Sequence, residues 1–348
     1  MTAPSTPVSV SSGGAAVKLE FDDNTLLIQL FGSHHAHLAR IEHALDVSLN
    51  ARGNVLTVIG DGGDVNAARA VLDGLYRRLK SGMAVGREDV DAALRMAVDD
   101  GVGAIGAVTG GDDPVIRTRK RHISPRSPIQ AAYIQAIDDA ELVFGLGPAG
   151  TGKTYLAVAK AVEKLVGGEV DRIILSRPAV EAGEQLGFLP GDMREKVDPY
   201  LRPIYDALHD MLPTQQVAKR LENGEIEVAP LAFMRGRTLA NAFVILDEAQ
   251  NTSAVQMKMF LTRLGENSRM VVTGDLSQVD LPRGMRSGLR DAVEILEGNE
   301  AIAVVRFTDR DVVRHPLVSH IVRAYEAVES QRGTGARYQK DGAEPPRT

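Results

Sequence analysis

Gly147-Pro148-Ala149-Gly150-Thr151-Gly152-Lys153-Thr154 decides the fold of this chain. It meets every fixed position of the pattern G-x-x-x-x-G-K-[ST]. The apolar run Leu142-Val143-Phe144-Gly145-Leu146 ahead of it reads as a buried strand, and Tyr155 to Val162 behind it as a buried helix. In a strand, Gly-rich turn and helix, glycines let successive backbone N–H groups curl around phosphate oxygens. The helix N-terminus adds the positive end of its dipole. Gly147, Pro148, Ala149, Gly150, Thr151 and Gly152 would form the cradle. Lys153 would reach the β- and γ-phosphates, and the Thr154 hydroxyl would ligate Mg²⁺. The expected ligand is a nucleoside triphosphate with Mg²⁺.

Working outward, Ala242-Phe243-Val244-Ile245-Leu246 is an apolar run ending in Asp247 and Glu248. Asp247 would hold Mg²⁺, directly or through water, and Glu248 would polarise an attacking water. The adjacent acids favour hydrolysis over transfer to a metabolite. Residues 270–273 are a third strand, followed by Gly274, Asp275 and Gln278 in an arrangement similar to the G-D-x-x-Q of helicase motif III. That likeness implies that Gln278 senses the γ-phosphate. Residues 172–176 form another strand, running into a long polar loop that begins at Arg177. In an open α/β sheet, ligand loops lie beyond the carboxyl ends of strands. Arg177 therefore faces phosphate or nucleic acid, or else closes an ion pair within the loop. Arg235 and Arg237 add cations before the acidic strand. Gln130, upstream of the P-loop strand, offers the donor and acceptor that match adenine's amino group and N7. Superfamily 1 helicases place a glutamine at a similar point; a plain surface helix residue is the alternative. No N-K-x-D sequence is present, so ATP is favoured over GTP.

The chain has 348 residues, 44% hydrophobic and 25% charged, with no cysteine and a formal net charge of −6. That composition is ordinary for a globular protein. It excludes disulfides and Cys-ligated metal, and argues against coating nucleic acid by charge alone. No apolar stretch is long enough to span a bilayer, no signal peptide is legible, and a cytoplasmic location is expected. Residues 1–14 and 330–348 read as disordered. Residues 15–100 read as a small α+β unit: a strand at Leu26-Leu27-Ile28-Gln29-Leu30-Phe31, a helix with Leu38, Ile41 and Leu45 on one face, and a hairpin around Arg52-Gly53-Asn54. A helix capped by Asp64 follows, with the stripe Val65, Ala68, Leu72, Leu75 and Leu79. A further helix carries Val90, Leu94 and Ala97. Residues 101–122 read as a Gly-rich linker and the basic run Arg117-Thr118-Arg119-Lys120-Arg121-His122. That run is either a nucleic-acid path or a charged strand edge.

Together, residues 147–154, 177–192, 234–238, 246–250 and 273–278 resemble the PhoH-like ATPases, and within them the YbeZ type. The resemblance covers roughly residues 17–329 and implies an α/β fold. A RecA-like P-loop NTPase domain with a mainly parallel sheet would occupy residues 123–329, with a KH-like α+β domain in front. A KH fold grips RNA with a G-x-x-G loop; here the nearest loop, Gly32-Ser33-His34-His35, lacks the second glycine. The family further implies a YbeY-type endoribonuclease as partner.

One RecA-like domain per chain means that nucleic-acid remodelling would need a homo-oligomer, such as a ring. A neighbouring subunit would then supply an arginine finger, with Arg314 the first candidate and Arg283 or Arg286 the second. The leading expectation is an ATPase coupled to single-stranded RNA. The alternative is an ATP-dependent module that docks a ribonuclease or ribosomal partner with little catalysis of its own.

Overall fold

The computed structural model describes residues 8–9, 15–99, 114–178, 193–282 and 284–312. The expected linker at 101–113 and the two terminal tails lie mostly or wholly outside the described residues.

The N-terminal unit runs β1 (Val8–Ser9), β2 (Ala15–Glu20), α1 (Asn24–Phe31), α2 (Ala36–Leu45), β3 (Ser48–Arg52), β4 (Val55–Gly60), α3 (Gly62–Lys80) and α4 (Arg87–Asp99). Its sheet is antiparallel, in the order β1-β2-β4-β3. The hairpin and the stripes on α2 and α3 lie where the periodicity puts them, and feed one core with Val90 and Leu94 of α4. Two local expectations are corrected. Residues 26–31 are helical: the Asp23 carboxylate accepts from the Thr25 N–H at 2.8 Å, and Leu27, Leu30 and Phe31 are buried at helical spacing. Asp61, not Asp64, stands at the N-cap of α3; Asp64 lies in its first turn, where an acid favours the dipole.

The second unit contains β5 (Ile116–Arg117), β6 (His122–Ile123), α5 (Pro128–Asp139), β7 (Leu142–Leu146), α6 (Lys153–Gly167), β8 (Arg172–Arg177), α7 (Met193–Met211), α8 (Thr214–Glu222), β9 (Ile226–Pro230), β10 (Ala242–Leu246), α9 (Ala254–Leu261), β11 (Arg269–Gly274), α10 (Gly288–Leu296) and β12 (Ile302–Arg306). Its main sheet has the order β12-β7-β11-β10-β8-β9, and every neighbouring pair is parallel. The α/β class is thus established. All five positions of β7 and of β10 are buried, as expected for strands covered on both faces. Val143, Phe243 and Ile245 meet the core under α5, α6 and α7; Phe144, Val244 and Leu246 meet the one under α9 and α10. A parallel sheet brings all its carboxyl ends to one edge, so the ends of β7, β8, β10 and β11 converge there.

The basic run at 117–122 is a short hairpin docked on the end of α7. Lys120 donates from its backbone N–H to Met211 O at 3.2 Å and from Nζ to His209 O at 2.7 Å, and Arg121 lies 2.8 Å from Asp210. Two cations of the run thus complement a helix C-terminus. Arg126 pairs with Glu88 at 2.9 Å, and Arg78 donates to Ser124 Oγ at 2.6 Å, linking the two units. Among the described residues no helix is long and apolar enough to cross a membrane.

Behind α6, Asp138 lies 2.8 Å from Lys160 and 3.0 Å from Lys164, both lysines 5% exposed. Burial opposes the charged carboxylate, but the bonds from Lys160 and Lys164 outweigh it and hold Asp138 below the ordinary Asp range. A carboxylate with a depressed native pKa contributes stability above its unfolded value and loses it as the pH falls below about 4. Asp138→Asn is therefore expected to lose about 1–3 kcal/mol at pH 7 and to flatten the acid limb below about pH 4. Each lysine keeps a second carboxylate, Glu163 or Glu169, which bounds the loss. Urea midpoints measured from pH 3 to 8 for both proteins check this.

Candidate nucleotide site

β7 ends at Leu146, and the loop that follows turns through left-handed or otherwise positive φ at Gly147 (140°), Gly150 (85°) and Gly152 (87°). Gly147 donates to Gly274 O at 3.1 Å, tying the loop to the end of β11. A Cβ on Gly147 would stand 2.4 Å from the Phe307 carbonyl oxygen, so only glycine fits there. Gly152 occupies the N-cap of α6, and Lys153 and Thr154 form that helix's first turn. The buried Lys153 ammonium donates to Gly147 O at 2.7 Å and Pro148 O at 2.8 Å, and Thr151 Oγ1 donates to Pro148 O at 3.0 Å. Loop, lysine and helix end thus form one connected unit at the sheet edge.

Gln130 braces this loop from α5. Its Nε2 donates to Thr151 O at 2.9 Å, its Oε1 accepts from the Arg126 N–H at 2.6 Å, and it is 4% exposed. Both ends of the amide are engaged by backbone, so the expected reading of adenine would require breaking both bonds.

Asp247 follows β10. Its Oδ1 accepts from Thr154 Oγ1 and from Thr273 Oγ1, each at 2.7 Å, and the residue is 5% exposed. Strand β11 stands between β7 and β10, and Thr273 uses that place to fix the carboxylate against the P-loop. Glu248 takes a left-handed conformation (φ 51°), which is uncommon for a residue other than glycine. The Arg177 guanidinium, at the end of β8, lies 3.9 Å from Asp247 Oδ2 and 3.6 Å from Glu248 Oε1. Arg177 thus faces the acid pair. Gln278 is exposed on the same edge, in a turn where its N–H donates to Asp275 O at 3.0 Å.

Arg314 and Arg283 lie outside the described residues. Arg286 is paired with Asp291 at 2.6 Å and with Glu294, along α10. Arg237 forms a bidentate pair with Glu227, both bonds 2.7 Å, and so serves β9.

The donor set fits Mg²⁺. Thr154 Oγ1 and Asp247 supply hard oxygen ligands on adjoining elements. Among the described residues no group of three His, Cys, Asp or Glu forms a protein-only cage. Mg²⁺ characteristically takes one or two protein oxygens and completes its shell with phosphates and water.

The family described as PhoH-like protein matches residues 122–326. The chain belongs to the PhoH-like family. A PhoH-like protein of Mycobacterium tuberculosis is 50% identical over 321 residues, covering 90% of this chain and 91% of that one. One from Bacillus subtilis is 48% identical over 310 residues, covering 89% and 96%. Protein PhoH of Escherichia coli is 48% identical over 240 residues, covering 68% and 65%. A solved Sulfolobus solfataricus SWI2/SNF2 ATPase core in complex with dsDNA aligns at a TM-score of 0.31 and 14% identity, over 52% of this chain and 42% of that one; so low a score carries no weight. The PhoH-like match spans every site residue described above, from Gln130 to Gln278.

Sequence reasoning missed Thr273, Gln250 and β12 in this PhoH-like site. Gln250 is 1% exposed, and its Nε2 donates to Glu248 Oε2 at 2.6 Å. Its place two residues after the paired acids was the available signal. Nothing in the local pattern announced that Phe307, beyond β12, packs against Gly147.

Proposed function

We propose that this chain binds ATP with Mg²⁺ and hydrolyses it, and that hydrolysis is coupled to single-stranded RNA. The observation that carries the proposal is the 2.7 Å bond between Thr154 Oγ1 and Asp247 Oδ1, which brings the two expected metal ligands together beside Glu248. The P-loop amides and Lys153 bind and orient the phosphates, and Thr154 and Asp247 hold the ion. Bound Mg²⁺ supplies charge neutralisation at the phosphate oxygens. Glu248 accepts the proton of the attacking water, and Gln278 contacts the γ-phosphate. Arg177 balances the two acids.

The RNA part is supported by the N-terminal unit. A groove of about 460 Å³ is lined by Leu27, Ile28, Phe31, Gly32, His34 and His35. Ile28 is 77% exposed, and Gly32, His34 and His35 all take positive φ. Apolar contacts for bases beside imidazoles for phosphates suit a single strand. The second glycine of G-x-x-G is replaced by His35, which already holds the left-handed conformation.

Phosphate release from ATP and Mg²⁺, with and without single-stranded RNA, tests this. Stimulation by RNA is expected, together with loss of most activity in Lys153→Ala. A rate that RNA leaves unchanged, with ATP-dependent capture of a YbeY-type endoribonuclease, would favour the docking module instead. Absence of any affinity for adenine nucleotides with Mg²⁺ would overturn both.

A further inference from the structure

Gln250 has a position that neither catalysis nor metal binding requires directly. It belongs to the short 3-10 turn Ala249–Asn251 that follows the acid pair, and it is 1% exposed. Both ends of its amide are used. Nε2 donates to Glu248 Oε2 at 2.6 Å, and Oε1 accepts from the Asp275 N–H at 3.0 Å. The next residue repeats the device: Asn251 Oδ1 accepts from the Asp280 N–H at 2.9 Å. One turn therefore clasps both ends of the loop 275–280, which carries Gln278.

The local sequence allows this close approach. A Cβ on Gly274 would fall 2.9 Å from Gln250 Oε1 and 2.4 Å from a Leu289 methyl, so glycine at the end of β11 lets the turn sit against the strand. Glu248 needs such support. Its side chain is 38% exposed, so packing alone leaves it rotamer freedom.

We propose that Gln250 is the positioning residue for Glu248, fixing its carboxylate for the attacking water and tying it to the loop that carries Gln278. The proposal rests on Glu248 acting as the base. The amide supplies one bond to a charged acceptor and one from a buried backbone donor. The first gains from the acceptor's charge, and the second, being buried, is stronger than the same bond in water. A base held in place contributes where the transition state forms and leaves ground-state nucleotide binding largely alone.

The test uses the full chain with two substitutions at Gln250. Gln250→Leu keeps the volume and removes both bonds. Gln250→Glu keeps an acceptor for the Asp275 N–H and replaces the donor facing Glu248 with a like charge. Both are expected to lower kcat by roughly 10²-fold, the lower range for losing a positioned general base. Affinity for a fluorescent adenine nucleotide with Mg²⁺ should stay within about threefold, since that interaction is made elsewhere. Amide hydrogen exchange at residues 275–280 should speed up in Gln250→Leu and remain native-like in Gln250→Glu. In a Glu248→Gln background, adding Gln250→Leu should cause little further loss, because the two act as a unit.

Native kcat in Gln250→Glu would overturn the proposal. So would a loss of nucleotide affinity equal to the loss of kcat, or full additivity with Glu248→Gln. If Glu248→Gln alone hydrolyses at the native rate, the assignment of the base fails instead, and that outcome is read without any variant at position 250.

Discussion

Asp247→Asn is expected to cost on the order of 10²–10³ in kcat, about 3–4 kcal/mol of transition-state stabilisation. The substitution preserves volume and an acceptor oxygen for Thr154 and Thr273, each 2.7 Å from Oδ1 in the native chain. What it removes is charge. A neutral amide cannot hold a divalent ion against water as a carboxylate does, and electrostatic stabilisation in a shielded site is large. The accompanying loss of fold stability should be small. Arg177, the cation facing Asp247, is 23% exposed and keeps Glu248 at 3.6 Å, so it is not stranded. Steady-state phosphate release across a Mg²⁺ titration, together with a thermal melt, separates the two effects. Hydrolysis within about threefold of native at saturating Mg²⁺ would overturn the proposal that Asp247 holds the metal.

The parts of this fold that were legible in sequence are those where one local rule decides. Residues 142–146, 242–246 and 270–273 are buried on both faces, so their largely apolar runs needed no alternation to read as strands. The P-loop was legible because glycine spacing, lysine and hydroxyl are all local. The segment Leu26–Phe31 shows the limit. Its run of Leu, Leu, Ile, Gln, Leu and Phe satisfies a short buried strand, and only Asp23 as a cap, with Ile28 left exposed, tips it to helix. At the basic run 117–122 the sequence leaves a nucleic-acid path and a charged strand edge both open, and the partners of Lys120 and Arg121, at the end of α7, lie some ninety positions on.

The same limit governs the site. The acids were visible from their place at the end of an apolar strand. Which side chains fix them was not, because Thr273 reaches Asp247 from β11, which enters between β7 and β10 only in three dimensions, and Gln250 is itself held by the Asp275 N–H beyond β11. Gln130 was legible as a polar residue in a telling place. Its bonds to Thr151 O and the Arg126 N–H belong to tertiary geometry, and they make it a brace for the loop.

Gly147 allows the sharpest separation of backbone conformation from close approach. Its φ is 140°, and a Cβ there would lie 2.4 Å from Phe307 O and 2.8 Å from Phe307 Cβ. The carbonyl cannot swing aside cheaply, since the Phe307 N–H donates to Leu146 O at 2.7 Å and pins that segment to the end of β7. Gly147→Ala therefore adds backbone strain of about 1–3 kcal/mol to an overpacking cost of about 1–3 kcal/mol. The sum, roughly 2–6 kcal/mol, is a large share of ordinary domain stability and corresponds to a melting point lowered by about 5–20 °C. Gly168 is the control: it too has positive φ (75°), but nothing lies within 4 Å of its added Cβ. Gly168→Ala should lose only the conformational part, about 1–2 kcal/mol, and leave nucleotide affinity unchanged. Gly147→Ala should lose affinity as well, because relief of the contact with Phe307 must displace the cradle itself. Equal melting shifts in the two variants would mean that the contact with Phe307 contributes nothing beyond φ.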